Sequence, residues 1–127
     1  MKVSIFVLLF ALFACLAIAA PVPPAGTAYN NFKVTGPNGT FKQWSQQGVT
    51  WNVDWNEPGA YSGNKQVHVV IVGTNNFWKY IGKFSYGGGY AQFTLDGSFT
   101  PGRWYYPYVY RDDDSNKAAT GNWFGVN

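Results

Sequence analysis

Residues 103–111 read RWYYPYVYR, a run of aromatic and β-branched side chains with one proline, set between two arginines. Such residues favour extended chain, and an extended chain sends successive side chains to opposite faces. A strand that is half-buried in the ordinary way is apolar on one face only. This one is aromatic on both, so one face is expected to enter a core and the other needs a separate explanation.

Working outward, the flanking segments repeat the same style. VTWNVDW, 49–55, alternates, with Val49, Trp51, Val53 and Trp55 on one face and Thr50, Asn52 and Asp54 on the other. QVHVVIVG, FWKYIGKFS, YAQFTLDG and ATGNWFGV follow as further strands, and shorter ones are expected over Asn31–Thr35, closed by GPNG, and over Thr40–Trp44. Turn signals separate them: EPGAYSGN at 57–64, Gly87-Gly88-Gly89 as a hairpin turn, Asp96-Gly97, and RDDDSNK between the last two strands. Seven or eight short strands with no amphipathic helical window describe an all-β fold. The expected architecture is an antiparallel β-sandwich of immunoglobulin or fibronectin type III character, with a small closed barrel as the alternative.

FTPGRWYYPYVY, 99–110, resembles the corner of a fibronectin-type domain, where an apolar residue, a Pro-Gly turn and an inward tyrosine open a strand. The resemblance makes Phe99 the corner hydrophobe and Tyr105 the corner tyrosine, its hydroxyl bonding back to the backbone. Alternation then turns Tyr105, Pro107 and Val109 inward and Trp104, Tyr106, Tyr108 and Tyr110 outward. If QVHVVIV is the neighbouring strand with Val67, Val69 and Ile71 in the core, His68, Val70 and Val72 join the outer face. Each ring covers roughly 150–250 Å², whereas monomers seldom expose more than a few hundred Å² of contiguous apolar surface. Either the Pro-rich N-terminal segment covers this face or it is a binding platform. Pro107 supplies no ladder donor and is expected at an edge or a bulge.

The whole chain has 127 residues and opens MKVSIFVLLFALFACLAIAAP. One lysine, an apolar run and small residues at Ala17 and Ala19 read as a secretory signal peptide over residues 1–19. A membrane anchor and, through Leu12-Phe13-Ala14-Cys15, a lipoprotein signal are the competing readings. No basic stop-transfer flank follows the run, and Phe13 fits a lipobox poorly. Residues 20–31 form a Pro-rich lead-in and residues 32–127 one domain. Cleavage would leave about 108 residues and remove the single cysteine and the single methionine, so neither disulfide nor thiol chemistry is expected in the mature chain. It would also leave eight basic against six acidic residues, a scattered net charge of about +2. That field is too weak to argue for nucleic acid, and no membrane anchor is expected in the mature chain.

The inventory for catalysis is thin. With one histidine, His68, and no mature cysteine, the usual metal sets and a Cys-His pair cannot be assembled. His68 sits among valines and reads as a structural or surface residue. A glycosidase needs two carboxyl groups across a cleft, but Asp54 falls on the polar face of the VTWNVDW strand, and Glu57, Asp96 and Asp112-Asp113-Asp114 fall in turns or loops. DDDSN resembles the start of a calcium loop, yet Lys117 stands where its glycine belongs and Trp123 where its glutamate belongs. No metal, no cofactor and no catalytic residue are expected. Asn38-Gly39-Thr40 is the only N-glycosylation sequon, and Asn-Gly is also a tight-turn pair.

VTGPNGTFKQWSQQGVTWNVDW resembles the opening of a secreted fungal cell-wall synthesis family, of the type needed for β-1,6-glucan assembly. The same domain begins Ser/Thr-rich GPI-anchored proteins. Pro37, Gly39, Phe41, Gly48, Val49, Thr50 and Trp51 carry the likeness, joined by VHVVIVG, the Pro-Gly corner and Thr120-Gly121-Asn122-Trp123-Phe124. It covers about residues 32–127. The resemblance implies an Ig-like domain at a cell wall and supplies no catalytic residues. Without a Ser/Thr-rich tail or a C-terminal apolar segment, no GPI anchor is expected. The combined expectation is a secreted, non-catalytic module. It would bind wall polysaccharide or wall protein through Trp104, Tyr106, Tyr108, Tyr110 and His68, with Arg103 and Arg111 as polar contacts. Self-association through the same face is the alternative, and a small glycan-active enzyme a third.

Overall fold

A computed structural model describes residues 22–28, 31–60, 62–114 and 116–127. The expected signal peptide, and residues 20, 21, 29 and 30 of the lead-in, lie outside the described residues. Among the described residues, nine strands form two sheets packed against each other, an all-β sandwich, and the only helical element is one 3-10 turn, Tyr86–Gly88. The smaller sheet is β1 (Val34–Thr35), β3 (Gln46–Trp51) and β6 (Tyr90–Thr94), in the order β1-β3-β6. The larger contains β2 (Gly39–Phe41), β9 (Phe124–Val126), β7 (Trp104–Arg111), β4 (Gln66–Gly73) and β5 (Phe77–Ser85) in that order, with β8 (Ala118–Thr120) also paired to β7. All pairings are antiparallel except β2 with β9.

The opening stretch is β7, and it is central. Its inner face holds Tyr105 and Val109, both fully buried together with Val67, Val69 and Ile71 from β4. Phe77, Phe93, Phe99, Tyr105 and Phe124 stack through tilted and edge-on contacts with ring centroids 4.8–6.3 Å apart. The corner forms as expected: the Thr100 N–H donates to the Tyr105 hydroxyl oxygen at 2.8 Å, and that hydroxyl faces the Thr100 carbonyl at 3.4 Å. Gly73, paired with Tyr105, leaves the ring its space, since a Cβ there would lie 2.5 Å from the ring.

Several local expectations need correction. Pro107 lies in a central strand, not at an edge. Its carbonyl accepts from the Gly121 N–H at 2.9 Å, and a strand residue points its N and its O to the same side. The missing donor of Pro107 therefore faces the gap between β9, which pairs with residues 104–105, and β8, which pairs with residues 108–110. The ring is buried between Gly36 and Gly121, where a Cβ on either would come within 2.7 Å of it.

β3 ends at Trp51: its last pair with β6 is Thr50 with Tyr90, and beyond it only the Trp51 N–H bond to the Gly89 carbonyl and the Asn52 N–H bond to the Lys33 carbonyl follow before the pairing runs out. Trp55 is thus exposed rather than on the core face. The expected strand to Trp44 ends at Phe41, with Trp44 in a left-handed turn at φ 74°. Gly87–Gly89 is not a hairpin turn: it carries the chain from β5 in one sheet to β6 in the other. By contrast, Asn75 and Asn76, both at φ 61°, close β4 and β5 as a tight hairpin turn of the kind asparagine tolerates.

Candidate functional site

The outer face of the larger sheet is built in cross-strand rows. Along β4 the outward residues are His68, Val70 and Val72. Facing them on β7 are Tyr110, Tyr108 and Tyr106, and facing them on β5 are Lys83, Tyr80 and Trp78. The pairing on the β5 side shifts by one between Val69 and Val70, leaving Ile81 as an extra residue. That bulge lets Tyr80 and Lys83, three apart in sequence, share one face.

Narrow valines between rows of large rings leave the rings free to close over them. Val70 is fully buried although it points away from the main core. The roof is a chain of rings in successive contact: Trp78 to Tyr108 at 6.3 Å, Tyr108 to Tyr110 at 5.0 Å, Tyr110 to His68 at 5.0 Å and His68 to Tyr80 at 5.9 Å. Trp78 and Tyr80 are 45% and 49% exposed, and Tyr108 and Tyr110 are half-buried. Burial, with the nearby Tyr80 and Asp112 oxygens, raises the Tyr110 hydroxyl above its ordinary pKa, so it stays protonated and able to donate.

His68 is tied at both nitrogens, with Nδ1 2.8 Å from the Tyr80 hydroxyl and Nε2 3.2 Å from Asp112 Oδ2. It is therefore a polar node within the ring layer.

The other end of the face is covered. The Tyr106 hydroxyl donates to the Pro23 carbonyl at 3.1 Å, and Trp123 packs edge-on against its ring at 4.7 Å. The lead-in is held there by a ladder along β8: Thr120 N–H to the Thr27 carbonyl at 2.9 Å, Gly26 N–H to the Gly121 carbonyl at 2.9 Å, and Ala28 bridged to Ala119. Tyr106 is 6% exposed as a result. The expected four-residue ladder is thus divided. Tyr108 and Tyr110 join His68, while Tyr106 lies beneath the N-terminal segment. Trp104 leans over Gly125 beside a shallow cleft of about 210 Å³ that also includes Thr40, Arg103 and Asn127.

Arg111 was expected among the polar contacts and points the opposite way. Its side chain is 1% exposed. It makes charge-assisted bonds at 2.7 Å to both Glu57 oxygens and at 2.7–2.8 Å to Asp113, and its guanidinium lies 4.8 Å from the centre of the Tyr86 ring. Residue 111 follows Val109 in the alternation, so inward is the direction β7 imposes.

The acidic run is explained residue by residue. Asp112 holds His68, Asp113 holds Arg111, and Asp114 accepts the Asn116 N–H at 3.0 Å to shape the hairpin. Among the described residues no cluster of three or more His, Cys, Asp or Glu side chains could hold a metal ion. A polar cleft of about 270 Å³ beside this hairpin is bordered by Asn31, Asn52, Asp54 and Lys117. Asn38 is exposed just ahead of β2.

Residue-level reading of the sequence missed Trp78, Tyr80 and Asp112. The alternation in FWKYIGKFS carries the signal for the first two, but the bulge at Ile81 breaks the pattern in mid-strand. No protein-family model matches the chain, and a search of curated proteins gives no match.

Proposed function

We propose that this protein is a secreted, non-catalytic binding module of the cell wall or extracellular space, recognising polysaccharide through the outer face of its larger sheet. The observation that carries this reading is the unbroken chain of rings from Trp78 through Tyr108, Tyr110 and His68 to Tyr80. Flat rings with polar tips suit sugar rings, which present apolar faces bordered by hydroxyls. Rings already packed together lose little conformational freedom on binding, which favours affinity. The tyrosine corner, and the order β2-β9-β7-β4-β5 with β2 parallel to β9, support an immunoglobulin-like assignment and fit the fungal wall-family resemblance. The signal-like N-terminus supports secretion, and the exposed sequon makes Asn38 the glycosylation site we propose.

Self-association through this face is the competing reading. At the sheet edge it is opposed by the bulge in β5 and by Lys79 and Lys83, devices that discourage strand-to-strand addition.

Retention of the protein on insoluble β-glucan, chitin and cellulose tests the proposal, with a Trp78→Ala/Tyr80→Ala variant in parallel. At least tenfold weaker retention of the variant on one of them, with an unchanged thermal midpoint, is the expected result. Equal retention of both forms would remove the aromatic face from binding. No retention, with concentration-dependent sedimentation that the variant abolishes, would establish self-association instead.

A further inference from the structure

We infer that Tyr80 is a proton-controlled sugar contact, its hydroxyl converted from acceptor to donor by protonation of His68. The inference rests on the polysaccharide reading above and adds the polar chemistry of that site. An ionised carboxylate can only accept hydrogen bonds, so the contact between Asp112 Oδ2 and Nε2 places the proton of a neutral His68 ring on Nε2. Nδ1 is then a bare acceptor, and at 2.8 Å it takes the hydroxyl proton of Tyr80. In that state Tyr80, although about half exposed, offers a ligand only lone pairs.

Protonation reverses the bond without moving either ring. Both nitrogens of an imidazolium donate, so Nδ1–H now points at the Tyr80 oxygen and the hydroxyl proton is released towards solvent. The charged ring still holds Asp112. Sugar ring oxygens and glycosidic oxygens accept and never donate, so they gain a partner only in this second state.

The groups facing His68 are Tyr80 and Lys83 from β5, Tyr110 from β7 and Asp112 from the hairpin. Lys83 opposes the added charge and Asp112 favours it. Arg111 points to the other face of β7, held by Glu57 and Asp113. Histidine changes charge between about pH 5 and pH 8, and His68 is the only histidine in the chain. Binding is therefore tighter on the acid side of that interval, by about three- to tenfold for one added hydrogen bond.

The test is a depletion isotherm from about pH 8 to about pH 5, on whichever of β-glucan, chitin or cellulose retains the protein, together with nitrogen-15 shifts of the His68 ring without ligand. A three- to tenfold acid gain is expected for the wild type and none for Tyr80→Phe, which keeps the ring and loses the hydroxyl. The free protein at the alkaline end is expected to show the Nε2–H tautomer. Retention that is flat with pH, or an equal gain in Tyr80→Phe, overturns the inference and leaves the polysaccharide reading standing. An Nδ1–H tautomer at the alkaline end overturns it as well. Failure of all three polysaccharides to retain the protein at any pH removes the polysaccharide reading and this contact with it.

Discussion

On one side of β7, Tyr105 and Val109 are sealed from solvent; on the other, Tyr108 and Tyr110 alternate with them and remain half-exposed. The two sets have similar composition, so hydrophobicity does not separate them. What separates them is the opposing layer. The inner set meets β3, β6 and the corner, whereas the outer set meets other rings of its own sheet and, at one end only, the lead-in. A face without an opposing layer buries its valines beneath its own rings and leaves the rings half in water.

The strongest way to break this contrast is at the corner. Tyr105→Ala removes a fully buried ring that contacts Phe77, Phe99 and Phe124. A loss of about 3–5 kcal/mol is expected, the range for truncating a buried aromatic. Tyr108→Ala, the same substitution on the other face, is expected to cost less than half as much. Chemical denaturation of the two variants checks it. Equal losses would mean that the outer rings carry as much of the fold as the core does, and the two faces would then not differ in kind.

Next in size is the Arg111 network at the end of β7. Burial pushes the Glu57 carboxyl up, but the bonds and charges of Arg111 and Lys65 outweigh it and hold the carboxyl below its ordinary value. The Arg111 bond likewise lowers Asp113, against a smaller opposing effect of burial. Both folded values are depressed. Their stabilisation is therefore present above the ordinary carboxylate range, about pH 4, and is lost as pH falls through that range towards the folded values. Arg111→Met is expected to cost about 1.5–3 kcal/mol near neutral pH. The full penalty of an orphaned buried charge is not expected, because Glu57 and Asp113 side chains are 16% and 47% exposed and reach water. Urea midpoints measured down the acid range should fall more steeply for the wild type than for the variant. Parallel curves would show that the network contributes no pH dependence.

How much of this was legible from residues alone follows from the range of the forces involved. The inner face of β7 was readable because the corner is local: Phe99, the Pro-Gly turn and Tyr105 lie within seven residues, and the hydrogen bond joins positions five apart. The outer residues of β4 followed from alternation once its neighbour was assigned. The alternation in FWKYIGKFS puts Trp78 and Tyr80 on one face, but the bulge at Ile81 exchanges the faces for the rest of β5. The strand read as a single period-2 run therefore did not place that face beside His68. The central position of Pro107 was hidden for a related reason. The gap that accommodates it is made by β8 and β9, whose pairing depends on contacts far along the chain. The partner of Asp112 was hidden as well, since His68 lies 44 residues away.

The smallest expected effect sharpens the contrast within the outer face itself. Tyr106→Phe keeps the ring against Trp123 and deletes the single bond from its hydroxyl to Pro23. One neutral hydrogen bond contributes about 0.5–1.5 kcal/mol, and the lead-in keeps its ladder to Thr120 and Gly121. Global stability should therefore change by about 1 kcal/mol or less. Local protection should fall further, because the amides of Gly26 and Thr120 exchange through release of this segment alone. Hydrogen exchange that quickens at those two amides and stays unchanged at Val69 and Val109 is the expected pattern. Uniform acceleration would mean that the lead-in unfolds only with the whole sandwich. It would then be a structural strand of the larger sheet, and the covered and uncovered ends of the aromatic face would differ by fold rather than by a detachable strap.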